Sequence, residues 1–291
     1  MKRLNILWIG LISVLMTACY DDYEKDYDKS SVYFASQKPL RTLVADTDMS
    51  IKVGVAIGGK REVHTDDWAT FEIDPSLLEG TGLTLMPENY YQLANPNKMT
   101  ISNPNLAIAD VKVTFSDAFY EDNTALNKHY AIPFRLVDHN QDEISTDVNG
   151  NLKDYSIVVV KFVSQYHGTY FVKGKVTNLS TQQVTEYNNK DLSQNMTRDL
   201  VSLGRNKVRR PGFGNTLENN ESVNLTVNPD GSVNIEAGGS VANTDASAEF
   251  VGKQPKFTLS YKYTKGGVTY QVDEELIRRQ NPEADLRFQE W

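Results

Sequence analysis

The stretch Val111-Lys112-Val113-Thr114-Phe115 has the clearest strand pattern in the chain. Its apolar and polar side chains alternate at every second position, which is the period of a strand with one face buried. Residues 51–57 alternate in the same way and end at Gly58-Gly59, a turn signal. Both segments therefore predict half-buried β-strands.

Further strand-like segments lie on both sides of this stretch. Residues 155–162 are nearly continuous in Ile and Val, which predicts a central strand. Pro133 lies within the strand-like residues 130–137 and cannot donate to a ladder, so we expect it at a sheet edge or a bulge. Residues 74–78 predict one helical turn, because proline suits a helix start. The other strand candidates are residues 31–35, 68–73, 83–93 and 98–101. Short strands at this spacing predict an immunoglobulin-like antiparallel sandwich over residues 30–164.

The second half of the chain contains two hairpin signals. Asn228-Pro229-Asp230-Gly231 lies between alternating segments, where Pro presets φ and Gly supplies a positive φ. Lys265-Gly266-Gly267 separates two further strand candidates. Residues 273–280 predict a short helix with an aspartate as N-cap, and residues 286–291 predict a closing strand. We expect residues 165–291 to form a second β domain.

The amino terminus carries the most specific chemical signal. Lys2 and Arg3 precede an apolar run over residues 4–16, and small residues then precede Cys19, which is the layout of a secretory signal. A cysteine at that place predicts a lipobox, in which residues 1–18 are removed and the thiol of Cys19 is acylated to form a lipid anchor. The alternative is an ordinary cleaved signal with an incidental cysteine.

The cysteine count and the charge narrow the class of protein. Cys19 is the only cysteine, so an exported chain can form no internal disulfide and each domain depends on its own core. Residues 19–29 are rich in acids and predict a solvated tether. Removal of residues 1–18 takes away two cations, so the formal net charge changes from −8 to −10. We expect no nucleic-acid partner, because binding to phosphates requires Lys and Arg.

The one basic cluster consists of Arg205, Lys207, Arg209 and Arg210. A guanidinium presents a planar fork to anionic groups, so Arg205, Arg209 and Arg210 are candidate ligands for an anionic sugar or a sulfate. The alternative is pairing with local acids on a loop.

A second candidate site surrounds Trp68, which follows Asp66-Asp67 at a loop-to-strand junction. Sugar rings stack on exposed aromatic faces, and nearby carboxylates bind their hydroxyls. Asp66, Asp67 and Trp68 are therefore candidate glycan-binding residues. The alternative for Trp68 is a place in the core of the sandwich.

Motifs for catalysis, metals and cofactors are weak. The sequence has no Gly-x-Ser-x-Gly, and its four histidines form no close ligand pair. Residues 138–142 begin like a calcium loop, but Glu143 stands where Gly is needed and Asn149 where a bidentate Glu is needed. We expect no catalytic residues, no metal site and no cofactor, while calcium at residues 138–142 stays open.

Four stretches resemble a family of two-domain Bacteroidetes outer-membrane lipoproteins of unassigned function, whose genes tend to accompany glycan-uptake systems. The stretches are Leu85-Met86-Pro87-Glu88-Asn89-Tyr90-Tyr91, Met99-Thr100-Ile101, Val111-Lys112-Val113 and Tyr130-Ala131-Ile132-Pro133-Phe134-Arg135-Leu136, in that order. The resemblance covers most of residues 30–164 and implies an immunoglobulin-like N-terminal sandwich. It concerns the fold far more than the chemistry, because it is a pattern of strand and turn residues.

Two further resemblances concern the barrel and the anchor. Gly168, Tyr170, Val172 and Gly174 resemble the opening of a lipocalin-like or calycin-like β-barrel, which the same family often carries at its C-terminus. A second sandwich is the alternative.

The acids after Cys19 resemble the acidic tract that follows the lipidated cysteine in surface-exported lipoproteins of Bacteroidetes. That resemblance implies an outer-membrane anchor on the cell surface, with a periplasm-facing anchor as the alternative.

The anchor and the resemblance together imply a non-catalytic binding module for a glycan or a host surface component. Proteins of a glycan-uptake complex are the other implied partners. Two alternatives stay open, a structural or adhesive subunit with a protein partner and a small glycoside hydrolase. A binder should expose an aromatic strip, an enzyme should bring two acids together in a cleft, and a structural subunit should expose a long unpaired edge strand.

Overall fold

The computed structural model describes residues 29–60, 64–103, 105–218, 221–237, 241–280 and 289–291. The predicted signal peptide, the predicted lipid attachment at Cys19 and the predicted tether up to residue 28 lie outside the described residues. In the part of the chain that is described, no helix is long and apolar enough to cross a membrane.

The described chain is nearly all β. The strands of its first half are β1 (Ser31–Tyr33), β2 (Pro39–Val44), β3 (Ser50–Gly58), β4 (Trp68–Ile73), β5 (Thr84–Leu85), β6 (Tyr91–Leu93), β7 (Lys98–Ile101), β8 (Ile108–Phe115), β9 (Tyr130–His139), β10 (Glu143–Ile144) and β11 (Tyr155–Val163). Helix α1 spans Asp117–Glu121, and 3-10 turns lie at Pro75–Leu78, Glu88–Tyr90 and Asn123–Leu126. The helical turn expected near Pro75 is therefore confirmed.

The second half adds ten strands and the 3-10 turn Leu192–Gln194. The strands are β12 (Gly168–Asn178), β13 (Val184–Tyr187), β14 (Met196–Gly204), β15 (Lys207–Pro211), β16 (Ser222–Val227), β17 (Val233–Glu236), β18 (Val241–Val251), β19 (Gln254–Lys265), β20 (Val268–Arg278) and β21 (Gln289–Glu290).

The first sheet folds over one main hydrophobic core, and a smaller cluster that includes Leu78 and Val159 lies apart from it. Its strand order is β10-β1-β3-β8-β7-β4-β9-β11-β2-β21, with β5 beside β9 and β6 beside β8. Val55 of β3 and Val113 of β8 are buried in the same cluster as Phe134 of β9 and Phe162 of β11. The side chains that alternate inward along β8 are the buried ones, as its sequence predicts. The all-β class expected for the first half is therefore confirmed, but its strands form one continuous sheet in which β1–β10, β2–β11 and β5–β9 pair in parallel.

The second sheet curls into a barrel-like shape with its own core. Its strand order is β17-β16-β15-β14-β12-β20-β19-β18, with β13 beside β12, and its paired strands are antiparallel. The ends of the sheet meet where Ser232 bridges Ser247 and Ala248 N donates to Gly231 O at 2.8 Å. Gly174 allows β12 and β20 to pack closely, because a Cβ there would lie 2.3 Å from Asp273 O. The barrel implied by the resemblance is confirmed.

Both predicted hairpins are present. β16 and β17 flank the first turn, where Gly231 has φ 84°. β19 and β20 pair up to Lys265 and Val268, and the two glycines between them have φ 57° and 78°. These positive φ values are those that a tight hairpin of this length demands.

Two predictions about local structure are wrong. Residues 273–280 form no helix, because Val268–Arg278 is strand β20, in which alternate side chains such as Glu274 and Leu276 are buried. Pro133 lies inside β9, between β4 and β11, and not at an edge or a bulge. It is tolerated because the β4–β9 ladder ends at Ile73 and Phe134, so no strand residue lies opposite its missing N–H.

The closing strand is β21, which is only two residues long, and residues 286–288 lie outside the described residues. It pairs with β2 of the first sheet. The chain thus passes through the second sheet and returns to the first, although the sequence assigned residues 165–291 to the second domain.

Candidate functional site

A cleft of about 650 Å³ opens where β3 and β8 face β2 and β11. Val53 and Val158 lie at its base, and Leu106 and Ile108 form an aliphatic wall with exposed fractions of 53% and 43%. Gly54 lies in the lining, where a Cβ would stand 2.5 Å from Ala109 O. Glycine at this position therefore permits β3 and β8 to approach each other beneath the cleft.

Polar groups line the rest of the cleft and contact one another. Lys52 Nζ lies 2.9 Å from Asp110 Oδ2 and 3.2 Å from Ser102 Oγ. On the β2 side, Ser36 Oγ donates to Glu290 Oε1 at 2.7 Å. The cleft therefore combines carboxylate acceptors, an ammonium group and hydroxyls with an aliphatic wall. Among its described lining residues the one aromatic is Phe34, which is buried, so the aromatic strip expected of a binder is not found here.

The residues predicted around Trp68 do not line this cleft. The indole of Trp68 is half-buried, and Lys98 Nζ lies 5.0 Å from its ring centroid. Asn140 links the turn to the strand, since its Oδ1 accepts from Trp68 N and its Nδ2 donates to Asp66 O. Asp66 itself is exposed.

Asp67 is placed to stabilise the fold and not to bind a ligand, because its side chain is buried and held by neighbouring groups. Its side chain is buried and accepts hydrogen bonds from Lys60 Nζ at 2.7 Å, Gln141 Nε2 at 3.0 Å and His64 N at 3.0 Å. Burial alone would raise the pKa of Asp67, but the hydrogen bonds from Lys60 and Gln141 outweigh it and hold the pKa below its ordinary value. The ionised carboxylate thus ties the loop before β4 to the loop after β9.

This environment predicts a pH-dependent effect of Asp67→Asn. A carboxyl whose pKa is lowered by folding contributes stability above its unfolded pKa of about 3.9, and that stability is lost as the pH falls through the folded pKa. We expect Asp67→Asn to cost about 1–3 kcal/mol at neutral pH and less in acid, which urea unfolding at both pH values measures. An equal cost at both would contradict the role given to the charge.

The structure separates the three arginines of the predicted basic cluster. Arg205 follows β14, whereas Arg209 and Arg210 are neighbours on β15, so their side chains point to opposite faces. Arg209 is exposed, and Arg210 is buried inside the barrel. The three side chains form no common anion site.

Arg205 joins the two sheets. Its guanidinium lies 2.6 Å from Asp46, 2.8 Å from Asp117 and 3.3 Å from Glu121, all of which belong to the first half. The hydrogen bond with Asp46 raises the pKa of Arg205, although burial opposes it. Tyr120 lies beneath the guanidinium, with 5.8 Å between Arg205 Cζ and the ring centroid. Arg205 therefore pairs with acids, which was the alternative interpretation of the basic cluster.

Arg210 belongs to a buried polar cluster in the barrel. Its Nη2 lies 2.9 Å from Glu274 Oε2 and donates to Gly214 O at 2.6 Å. Tyr187 and Tyr261 donate their hydroxyls to the same carboxylate at 3.0 Å and 3.3 Å. Burial and the charge of Glu274 raise the pKa values of both tyrosines, so they remain protonated donors. The Arg210–Glu274 pair and the two tyrosine hydroxyls therefore satisfy one another inside the barrel, while Arg210 Nε is buried without a hydrogen-bond partner.

Metal ligands are not assembled in the described part of the chain, where no three His, Cys, Asp or Glu side chains are grouped to hold an ion. Within the calcium-like loop, Asp142 Oδ2 accepts from both N and Oγ of Ser30 at 2.7 Å. Gln141 of the same loop donates to Asp67. The loop therefore holds the start of β1 and the turn before β4.

The sequence patterns do not predict this cleft. Its lining comes from β2, β3, β8, β11 and β21, which are far apart along the chain. The signal that was available is the pair of alternating strands β3 and β8, whose outward-facing positions include Lys52 and Asp110.

Two family models match this chain, one for each of its two sheets. A family model described as an N-terminal domain matches residues 27–143, and one described as a C-terminal domain matches residues 154–277. A crystal structure of unknown function from Bacteroides ovatus is 19% identical, with a TM-score of 0.73 over 87% of this chain and 95% of that chain. The chain belongs to a family of two-domain Bacteroidetes proteins of unassigned function. The shared fold extends over both domains.

More distant structures come from the same genus. A multidomain protein including DUF1735 from Bacteroides ovatus is 11% identical, with a TM-score of 0.41 over 89% of this chain and 99% of that chain. An auxiliary nutrient binding protein from Bacteroides thetaiotaomicron VPI-5482 is 12% identical, with a TM-score of 0.41 over 87% and 95%. No curated protein matches the sequence.

Proposed function

We propose that this protein is a lipid-anchored outer-membrane protein that faces the cell surface and binds a glycan, or a host component that carries one, without catalysis. The cleft beside β3 and β8 is the observation that carries the binding function. Its volume of about 650 Å³ lies within the range of small-ligand sites, which is roughly 300–1,000 Å³.

The chemistry of the cleft suits a polyhydroxylated ligand. The carboxylates of Asp110 and Glu290 accept hydrogen bonds from hydroxyl groups, and Ser102 can both donate and accept. Hydrogen bonds to charged groups are stronger than those between neutral groups. The exposed faces of Leu106 and Ile108 would cover the apolar C–H face of a sugar ring. One small cleft with both kinds of surface supports recognition of one or two sugar units.

A glycan screen of the full processed chain tests this proposal. We expect the parent protein to be retained by at least one glycan, and Asp110→Asn to weaken that binding about tenfold to a hundredfold, because a charge-assisted hydrogen bond is lost. Trp68→Ala is the matched control, since its ring lies outside the cleft. Binding that depends on Trp68 and not on Asp110 would move the site to the β4 turn.

Two other outcomes favour the alternative functions. A parent protein that no glycan retains would favour a structural or adhesive subunit. Glycoside hydrolysis is the second candidate, because Asp110 and Glu290 line one cleft. A binding module returns a retained glycan unchanged in mass, whereas a hydrolase releases shorter products and loses that activity in Asp110→Asn.

A further inference from the structure

The last described residues dock on the first sheet as an added strand. β21 runs antiparallel to β2, with Gln289 opposite Leu40 and Glu290 opposite Pro39. Trp291 N donates to Lys38 O at 3.1 Å, which extends the ladder by one residue. Residues 289–291 therefore contact β2 through the backbone.

Trp291 anchors this added strand. Its indole Nε1 donates to Ile157 O at 2.9 Å, and the ring packs against a small cluster that includes Leu78 and Val159. Lys38 Nζ lies 5.3 Å from the ring centroid. A half-buried indole with a satisfied N–H gives the segment a specific place on the sheet.

The edge of β2 would be unpaired without this segment. Its other neighbour is β11, and β21 is the last strand in the order of the sheet. A free strand edge presents N–H and C=O groups to any extended chain. The contact is short, with Gln289 and Glu290 exposed, and short exposed contacts are those that open most readily.

We propose that the outer edge of β2 and the recess beside Ile157 form a strand-acceptor site, which binds an extended segment carrying an aromatic anchor and is reversibly occupied by residues 289–291 of this chain. Backbone pairing would supply the affinity, and the indole recess would supply the selectivity. Release of the segment would also remove Glu290 from the wall of the cleft. The acceptor site stands apart from the proposed glycan function, because neither of its two experiments uses a glycan.

The register of the ladder identifies a matched pair of variants. In an antiparallel pair, N–H groups point toward the partner strand at every second residue. Trp291 N–H points to β2, so Gln289 N–H does too and Glu290 N–H points away. Proline at residue 289 removes a ladder hydrogen bond, whereas proline at residue 290 removes none.

The first experiment uses the processed chain from Cys19 with Trp68→Phe, which leaves Trp291 as its only tryptophan. Acrylamide quenching of Trp291 emission reports docking. We expect Gln289→Pro to lower the ratio of docked to released segment about five- to thirtyfold and to raise quenching, while Glu290→Pro leaves quenching near the parent value. Equal quenching in all three proteins would overturn the ladder assignment.

The second experiment adds a fluorescein-labelled peptide with the sequence of residues 286–291. We expect its anisotropy to rise with Gln289→Pro, whose acceptor edge is vacant, and to stay low with the parent and with Glu290→Pro. The same peptide with alanine at its last position should not bind. If Gln289→Pro releases Trp291 and yet fails to bind the peptide at millimolar concentration, the acceptor site is refuted.

Discussion

Replacement of Arg210 by methionine is expected to destabilise the second domain by about 3–5 kcal/mol, because it leaves a buried carboxylate without its cation. Neither side chain of the Arg210–Glu274 pair is exposed, and their closest atoms are 2.9 Å apart. The two tyrosine hydroxyls that remain on Glu274 donate hydrogen bonds but carry no positive charge. This is the largest single-residue effect on stability that we expect in the molecule.

The double variant Arg210→Met with Glu274→Gln separates the lost charge pair from lost packing. Glutamine keeps an oxygen that accepts from Tyr187 and Tyr261, and its amide is neutral. We expect the double variant to recover most of the lost stability, since replacing both members of a buried ion pair is often close to neutral. Urea unfolding of the parent, both single variants and the double variant measures the coupling. If the stability losses of the two single variants add up to the loss of the double variant, Arg210 and Glu274 are not energetically coupled.

Cys19→Ser is expected to move the protein from the membrane fraction to the soluble fraction. Each acyl methylene buried in the bilayer contributes about 0.8 kcal/mol, so loss of the acylated thiol removes the whole anchor. Cell fractionation and labelling with a fatty-acid analogue measure this, with Thr17→Ser as a control that keeps a small residue before the cysteine. A membrane-bound, unlabelled parent would contradict the lipid anchor.

The same cells test the orientation of the anchor. Protease added to intact cells should degrade the parent protein if it faces the cell surface. Protection in intact cells, followed by degradation after lysis, would instead place the anchor toward the periplasm.

Local patterns predicted the strands, because the information they need lies within a few residues. The alternation at β8 identified both the strand and its buried face, and the glycine-containing turns identified two hairpins. The helix prediction for residues 273–280 was wrong because the local pattern there does not show the buried face of the strand. Arg278 and Glu274 are polar yet point inward, so the strand period was hidden from a search for alternating apolar residues.

The cleft and the ion pairs depend on contacts between distant residues. Arg205 approaches acids from the other domain, and Glu290 reaches the cleft only because the chain returns to β2. Neither fact follows from composition or spacing. The separation of Arg209 from Arg210 follows from the strand, since neighbours on a strand point to opposite faces, but the sequence carries no strand signal at residues 205–210 that would have shown it.

The contacts of Arg205 also constrain how such proteins can be recombined. Its partners Asp46, Asp117 and Glu121 are all acidic and belong to the other domain. A hybrid that joins this first domain to an unrelated second domain would bring three like charges to the junction without a cation, and like charges repel. Because Asp117 and Glu121 are largely exposed, this repulsion is modest, and we expect exchange of domains to cost least stability when the new second domain carries a cation at this place.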